Sequence, residues 1–130
     1  MKNFDAIIIG SGQGGTPLAK KLAGQGWQTA LIERKAVGGT CINVGCTPTK
    51  TMIASAKAAY TVAQAGKWGV EVRESIINMP AIILRKEKVV ESFRKGSQEG
   101  LEKTENLSLI FGEASFTDAK TIEVVLNEGG

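Results

Sequence analysis

Ile7-Ile8-Ile9-Gly10-Ser11-Gly12-Gln13-Gly14-Gly15 decides the fold of this 130-residue chain. The run 4–9, Phe4-Asp5-Ala6-Ile7-Ile8-Ile9, is short, apolar and rich in isoleucine, and reads as a buried strand. A glycine-rich turn follows at once. Leu18, Leu22 and the Ala19/Ala23 pair then recur at helical spacing until Gly24 and Gly26 stop the pattern. Residues 28–33, Gln28-Thr29-Ala30-Leu31-Ile32-Glu33, read as a second strand. Strand, helix and strand in this order make a βαβ unit with a right-handed crossover. In such a turn Gly10 allows the tight bend, Gly12 lets the backbone approach a pyrophosphate, and Gly15 lets helix and strand pack closely. The helix start adds free N–H groups and a positive dipole end. Glu33 closes the second strand, where a carboxylate can accept hydrogen bonds from a ribose. A lone glycine motif is weak, but here strand, helix and acid agree on a dinucleotide platform.

Working outward, the remaining elements follow the same α/β logic. Residues 47–65 read as a helix whose inner face is Met52, Ile53, Ala56, Ala59, Tyr60 and Ala63, with Pro48 in the first turn and Gly66 at the end. Residues 67–78 read as irregular, with a short extended piece at 69–72. A second amphipathic helix runs from Pro80 to Lys95, and Gly96 and Gly100 are expected to interrupt or kink it. Residues 107–111 read as a third strand. Residues 114–116 and 121–126 read as a hairpin turning at 118–120, and 127–130 as a closing turn, as if cut from something longer. The expected parallel order places 28–33 between 4–9 and 107–111.

Composition narrows the partners. With 42% hydrophobic and 22% charged residues the chain can build a globular core. A net charge of +3, with no basic cluster interleaved with aromatics, argues against nucleic acid. The run after Met1-Lys2-Asn3 is too short for a signal segment or a membrane span, so no membrane partner is expected and the cytoplasm is the default location. The chain has no histidine, which removes the commonest general base and zinc ligand.

Both cysteines fall in Gly38-Gly39-Thr40-Cys41-Ile42-Asn43-Val44-Gly45-Cys46-Thr47-Pro48-Thr49-Lys50. Across regular helix, five residues at about 1.5 Å rise would hold their Cα atoms roughly 7.5 Å apart. A disulfide needs less than about 7 Å, so a bridge requires Gly45 to fold the segment into a turn. So small a ring adds little loop entropy, so structural stapling is a poor reason for it. Cys46 stands at a helix N-terminus, which favours a thiolate, and Lys50 adds positive charge one turn on. Two reduced thiols in a loop remain an alternative reading. A zinc site is weaker, because two cysteines fill half of a tetrahedral shell.

The GSGQGG turn, Glu33 and the GGTCINVGCTPTK segment together resemble the pyridine nucleotide-disulfide oxidoreductases, the class I flavoproteins that include dihydrolipoamide dehydrogenase, glutathione reductase and mercuric reductase. The resemblance covers residues 1–130 as the N-terminal portion of a truncated, Rossmann-like FAD-binding domain. It implies a three-stranded parallel sheet core with helices and a small antiparallel β-hairpin. It also implies that Gly10, Ser11, Gly12 and Gly15 hold the FAD pyrophosphate, Glu33 the adenosine ribose, and Gly39 and Thr40 the flavin side. Ala114, within 112–116, would meet the adenine. Cys41 and Cys46 would form the redox disulfide, with Cys46 against the flavin and the more exposed Cys41 toward substrate. Lys50 would reach the flavin ring. The implied activity carries electrons from NADH or NADPH through FAD to this disulfide, and on to a small-molecule or protein disulfide or a metal ion. The family's NAD(P)H domain, dimerisation domain and catalytic His–Glu pair lie further along, and the full enzyme is expected to be a homodimer. Thr47 stands where the family usually has valine or isoleucine, and Thr49 where it often has serine. The rival from another class is a non-catalytic, nucleotide-binding thiol redox sensor.

Overall fold

In the computed structural model, residues 1–127 are described. The chain order is β1 (Ala6–Ile9), α1 (Gly15–Gly24), β2 (Thr29–Glu33), α2 (Gly39–Asn43), α3 (Cys46–Ala63), a 3₁₀ turn (Ala65–Trp68), α4 (Met79–Glu102), β3 (Leu107–Asp118) and β4 (Thr121–Leu126). The four strands lie side by side in the order β1-β2-β3-β4. β1 and β2 run parallel with Ala6 opposite Thr29, and β2 and β3 run parallel with Thr29 opposite Leu107 and Glu33 opposite Phe111. The expected placement of 28–33 in the middle is the one found. β2 is flanked on both edges, and all five of its residues are buried.

β3 does two jobs. Its first half completes the parallel sheet, and from Gly112 onward it pairs antiparallel with β4, Gly112 opposite Leu126 and Phe116 opposite Ile122. The sequence suggested two separate strands here, but the chain passes from one pairing to the other without a break. The closing turn expected at 127–130 lies, apart from Asn127, outside the described residues.

Ala19 of α1, Leu31 of β2, Val37 and Leu101 of α4 form the fully buried core, and Ile8, Leu107, Leu109 and Phe111 pack against it. This core covers one face of the sheet and explains two departures from the sequence reading. β1 was expected to be buried, yet Ile7 and Ile9 are exposed, because β1 is an edge strand and only its Ala6/Ile8 face meets the core. α4 was expected to stop near Lys95, yet it continues through Gly96 and Gly100 to Glu102. Each glycine costs about 1 kcal/mol in a helix interior. Burying Leu101 completely returns about 1.5–3 kcal/mol, so the extra turns form. At its start, Asn78 Oδ1 accepts from the Ala81 N–H at 3.0 Å and Pro80 occupies the first turn. α3 begins at Cys46 and ends at Ala63, and residues 70–78 are irregular with no strand at 69–72. Tyr60 and Ile53, expected on its inner face, are exposed. No helix among the described residues is long and apolar enough to cross a membrane.

Candidate redox and dinucleotide site

The glycine turn sits over the C-terminal ends of the parallel strands, where open α/β sheets bind ligands. Gly10 leaves β1 at φ 96°, and its N–H donates to Ile32 O at 2.7 Å, tying the turn to β2. Gly15 opens α1, and a Cβ there would stand 2.0 Å from Gly10 O, so only glycine lets helix and turn approach this closely. A Cβ on Gly10, Gly12 or Gly14 would meet nothing within 4 Å. The N–H groups of Gly12, Gln13 and Gly14 find no acceptor among the described residues. Open space faced by unpaired N–H donors at a helix start fits a phosphate group.

Glu33 and Ser11 are locked together. The Ser11 N–H donates to Glu33 Oε2 at 3.0 Å, the Ser11 hydroxyl donates to the same oxygen at 2.6 Å, and the Lys35 N–H donates to Oε1 at 2.9 Å. Burial pushes the Glu33 carboxyl up, but the Ser11 hydroxyl and the N–H groups of Lys35, Ser11 and Arg34 outweigh it, and the net direction is down. Ser11, expected at the pyrophosphate, directs both of its donors to Glu33 Oε2 in this structure, and so orients the acid beside the turn. A carboxylate offers about four acceptor positions. The two Ser11 donors share Oε2, and the Lys35 N–H takes Oε1. Ile9, Gly10, Ile32, Glu33, Arg34, Gly112, Glu113 and Ala114 line one cleft of about 210 Å³. Turn, acid and Ala114, three separate sequence expectations, thus meet in a single cleft. The exposed Arg34–Glu113 pair, 3.5 Å apart, stands at its rim.

The cysteine segment starts against this turn. The Gly38 N–H donates to Ser11 O at 3.1 Å, and a Cβ on Gly39 would stand 2.8 Å from Gly12 Cα. Gly39, Thr40 and Cys41 then belong to α2, a one-turn helix to which the sequence reading assigned no element. A Cβ on Gly45 would stand 2.9 Å from Thr40 O, so the link between α2 and α3 folds back tightly. That fold-back brings Cys41, on α2, close enough to Cys46, the first residue of α3, for Cys46 to influence the titration of the Cys41 thiol. Both thiols are free. Cys46 pushes the Cys41 thiol up, with help from burial, against opposing pulls from the Cys46 N–H and the Lys50 charge. Lys50 is exposed one helical turn beyond Cys46, and Thr40 is exposed on α2. The expected order of exposure is reversed: Cys46 is exposed and Cys41 half-buried, because Cys41 is enclosed by the fold-back while Cys46 is the outward first residue of α3. Among the described residues no cluster of three His, Cys, Asp or Glu gathers to hold a metal.

Asn43 and Arg94 carry no signature in the sequence. Asn43 Nδ2 donates to Gly39 O at 2.9 Å and Val37 O at 3.1 Å, and Arg94 Nε donates to Asn43 Oδ1 at 2.7 Å.

Comparison with known proteins agrees with this geometry. Residues 4–129 match the family model described as pyridine nucleotide-disulphide oxidoreductase. A dihydrolipoyl dehydrogenase of Chlamydia trachomatis is 36% identical over 122 residues, 94% of this chain and 26% of its own length. A mercuric reductase of Streptomyces lividans is 34% identical over 128 residues, 98% of this chain and 27% of its own. The Cu(II) complex of the HOCl-induced flavoprotein disulfide reductase RclA from Escherichia coli superposes with a TM-score of 0.77 at 35% identity, over 99% of this chain and 26% of that one. The chain spans about a quarter of the length of these relatives. A glycine turn under an orienting acid, two thiols folded against it, and a family match across almost every residue lead to one conclusion: the chain belongs to the pyridine nucleotide-disulphide oxidoreductase family.

Proposed function

We propose that this chain is the N-terminal portion of an FAD-binding domain, and that Cys41 and Cys46 cycle between dithiol and disulfide in an NADH- or NADPH-driven reductase. The observation that carries the reading is the contact of Gly39 with Gly12, which sets the thiol pair beside the phosphate cradle. Gly10, Gly12 and Gly15 would shape the cradle for the pyrophosphate, Glu33, held by Ser11, would take the ribose, and Ala114 the adenine. Gly39, Thr40 and Lys50 would flank the flavin. When bound, the flavin supplies two-electron reduction of the cysteine pair, drawn from a nicotinamide.

The chain's own chemistry is thiol–disulfide exchange. Cys41 as thiolate attacks one sulfur of a substrate disulfide and releases the other as a thiol, leaving a mixed disulfide. Cys46 then attacks the Cys41 sulfur, expels the second thiol and closes the Cys41–Cys46 bridge. An ordinary thiol is mostly protonated near neutral pH, and Cys46 pushes the Cys41 thiol further up, so a base would assist the first attack. With no histidine in the chain, a histidine base would come from outside it. A metal ion is the alternative acceptor, reduced by the same dithiol. Cytoplasmic placement fits a protein whose working thiols must be re-reduced, and a homodimer is the assembly that the family resemblance implies for the longer enzyme.

The test is spectral. In a polypeptide that also carries the nicotinamide and dimerisation domains, anaerobic reduction should give a long-wavelength thiolate–flavin band that survives Cys41→Ser and vanishes in Cys46→Ser. The opposite pattern reverses the assignment. A colourless protein whose thiols still respond to oxidants favours a thiol sensor.

A further inference from the structure

α2 has five residues, too few to hold a helix by itself. Yet it carries Cys41, whose sulfur must stay beside Cys46. Asn43, at its C-terminal end, is engaged on both sides of its amide. Nδ2 ties α2 back to the carbonyls of Gly39 and Val37, and Oδ1 accepts from Arg94 on α4. A guanidinium only donates, so Arg94 also fixes which way the amide faces and keeps Nδ2 on the carbonyls of Gly39, at the start of α2, and Val37, just before it. Arg94 is half-buried, which limits competition from water. The same helix reaches α3 separately, through Arg85 Nη1 to Thr51 O at 3.1 Å.

We propose that Arg94 is a positioning residue for the redox pair, acting through Asn43 to hold α2 and set the effective concentration of Cys41 against Cys46. The inference rests on the reading of Cys41 and Cys46 as a dithiol–disulfide couple. That couple balances against glutathione: one glutathione disulfide and the protein dithiol give two glutathiones and the Cys41–Cys46 bridge, with two electrons and two protons passing to the glutathione.

The experiment equilibrates the full chain in graded glutathione buffers, alkylates the remaining thiols and reads the oxidised fraction by mass. Circular dichroism establishes that each variant is folded. Arg94→Met should lower the effective concentration about tenfold, which raises the midpoint by about 30 mV. Arg94→Lys, which restores a single donor, should recover part of that shift. Arg85→Met loses a tie from the same helix to α3 and should leave the midpoint where it was. Should Arg94→Met not fold, the smaller shift in Arg94→Lys decides. A folded Arg94→Met with the wild-type midpoint overturns the proposal, as does an equal shift in Arg85→Met. A wild-type chain that forms no intramolecular bridge at any poise removes the couple itself, and the positioning role with it.

Discussion

Glu33 shows how one residue sets the character of the cleft. Its carboxylate is buried, and it remains charged because Ser11 and the N–H groups of Lys35 and Arg34 outweigh the cost of burial. The folded-state carboxyl lies below the ordinary glutamate value of about 4.3. Its stabilising contribution is therefore full above that value and is lost as pH falls through the lower folded-state pKa. Glu33→Gln should melt at a lower temperature than the unsubstituted chain at about pH 6, and the gap should narrow toward about pH 3. A gap that stays constant or widens on acidification contradicts this. Ser11→Ala removes a 2.6 Å hydrogen bond to a charged group and should cost about 1.5–3 kcal/mol in urea unfolding. An unchanged midpoint would show that the Ser11 hydroxyl does not hold the acid.

Among the elements, α1 and α4 respond to glycine in opposite ways. Gly15 must be glycine, because any Cβ runs into Gly10 O, so Gly15→Ala should destabilise by about 3 kcal/mol. Gly96 stands in open space within α4, and Gly96→Ala should stabilise by about 1 kcal/mol. Chemical denaturation of both variants checks the contrast, and loss of stability in Gly96→Ala would contradict it. This difference also marks what sequence shows and what it hides. Strand order, the glycine turn and the acid at the end of β2 were legible, because each depends on local pattern and spacing. The passage of α4 through Gly96 and Gly100 was not, because burial of Leu101 is a tertiary effect that outweighs local propensity. Nor was the Arg94–Asn43 bond, which joins two elements with no shared pattern. The exposure of Ile7 and Ile9 depends on which face of the sheet is covered, and an apolar run does not encode that.

For the molecule as a whole, the glycine turn, Glu33 and the thiol pair gather at one end of a parallel sheet, within a chain about a quarter as long as its relatives. On the proposed reading, such a piece would hold only one end of a dinucleotide. The chain alone should therefore bind FAD weakly or not at all, and should not reduce disulfides with NADH or NADPH. Equilibrium dialysis and a nicotinamide absorbance assay check this, and robust turnover by the 130-residue chain would contradict it. The central claim is that Cys41 and Cys46 together carry electrons to the acceptor. Its most direct measurement is nicotinamide-dependent turnover of a disulfide by a polypeptide joining this chain to the nicotinamide and dimerisation domains, compared with its Cys41→Ser and Cys46→Ser forms. The account predicts a yellow protein in which either substitution abolishes disulfide turnover while nicotinamide still reduces an artificial flavin-level acceptor. Turnover that persists in both serine variants would contradict it.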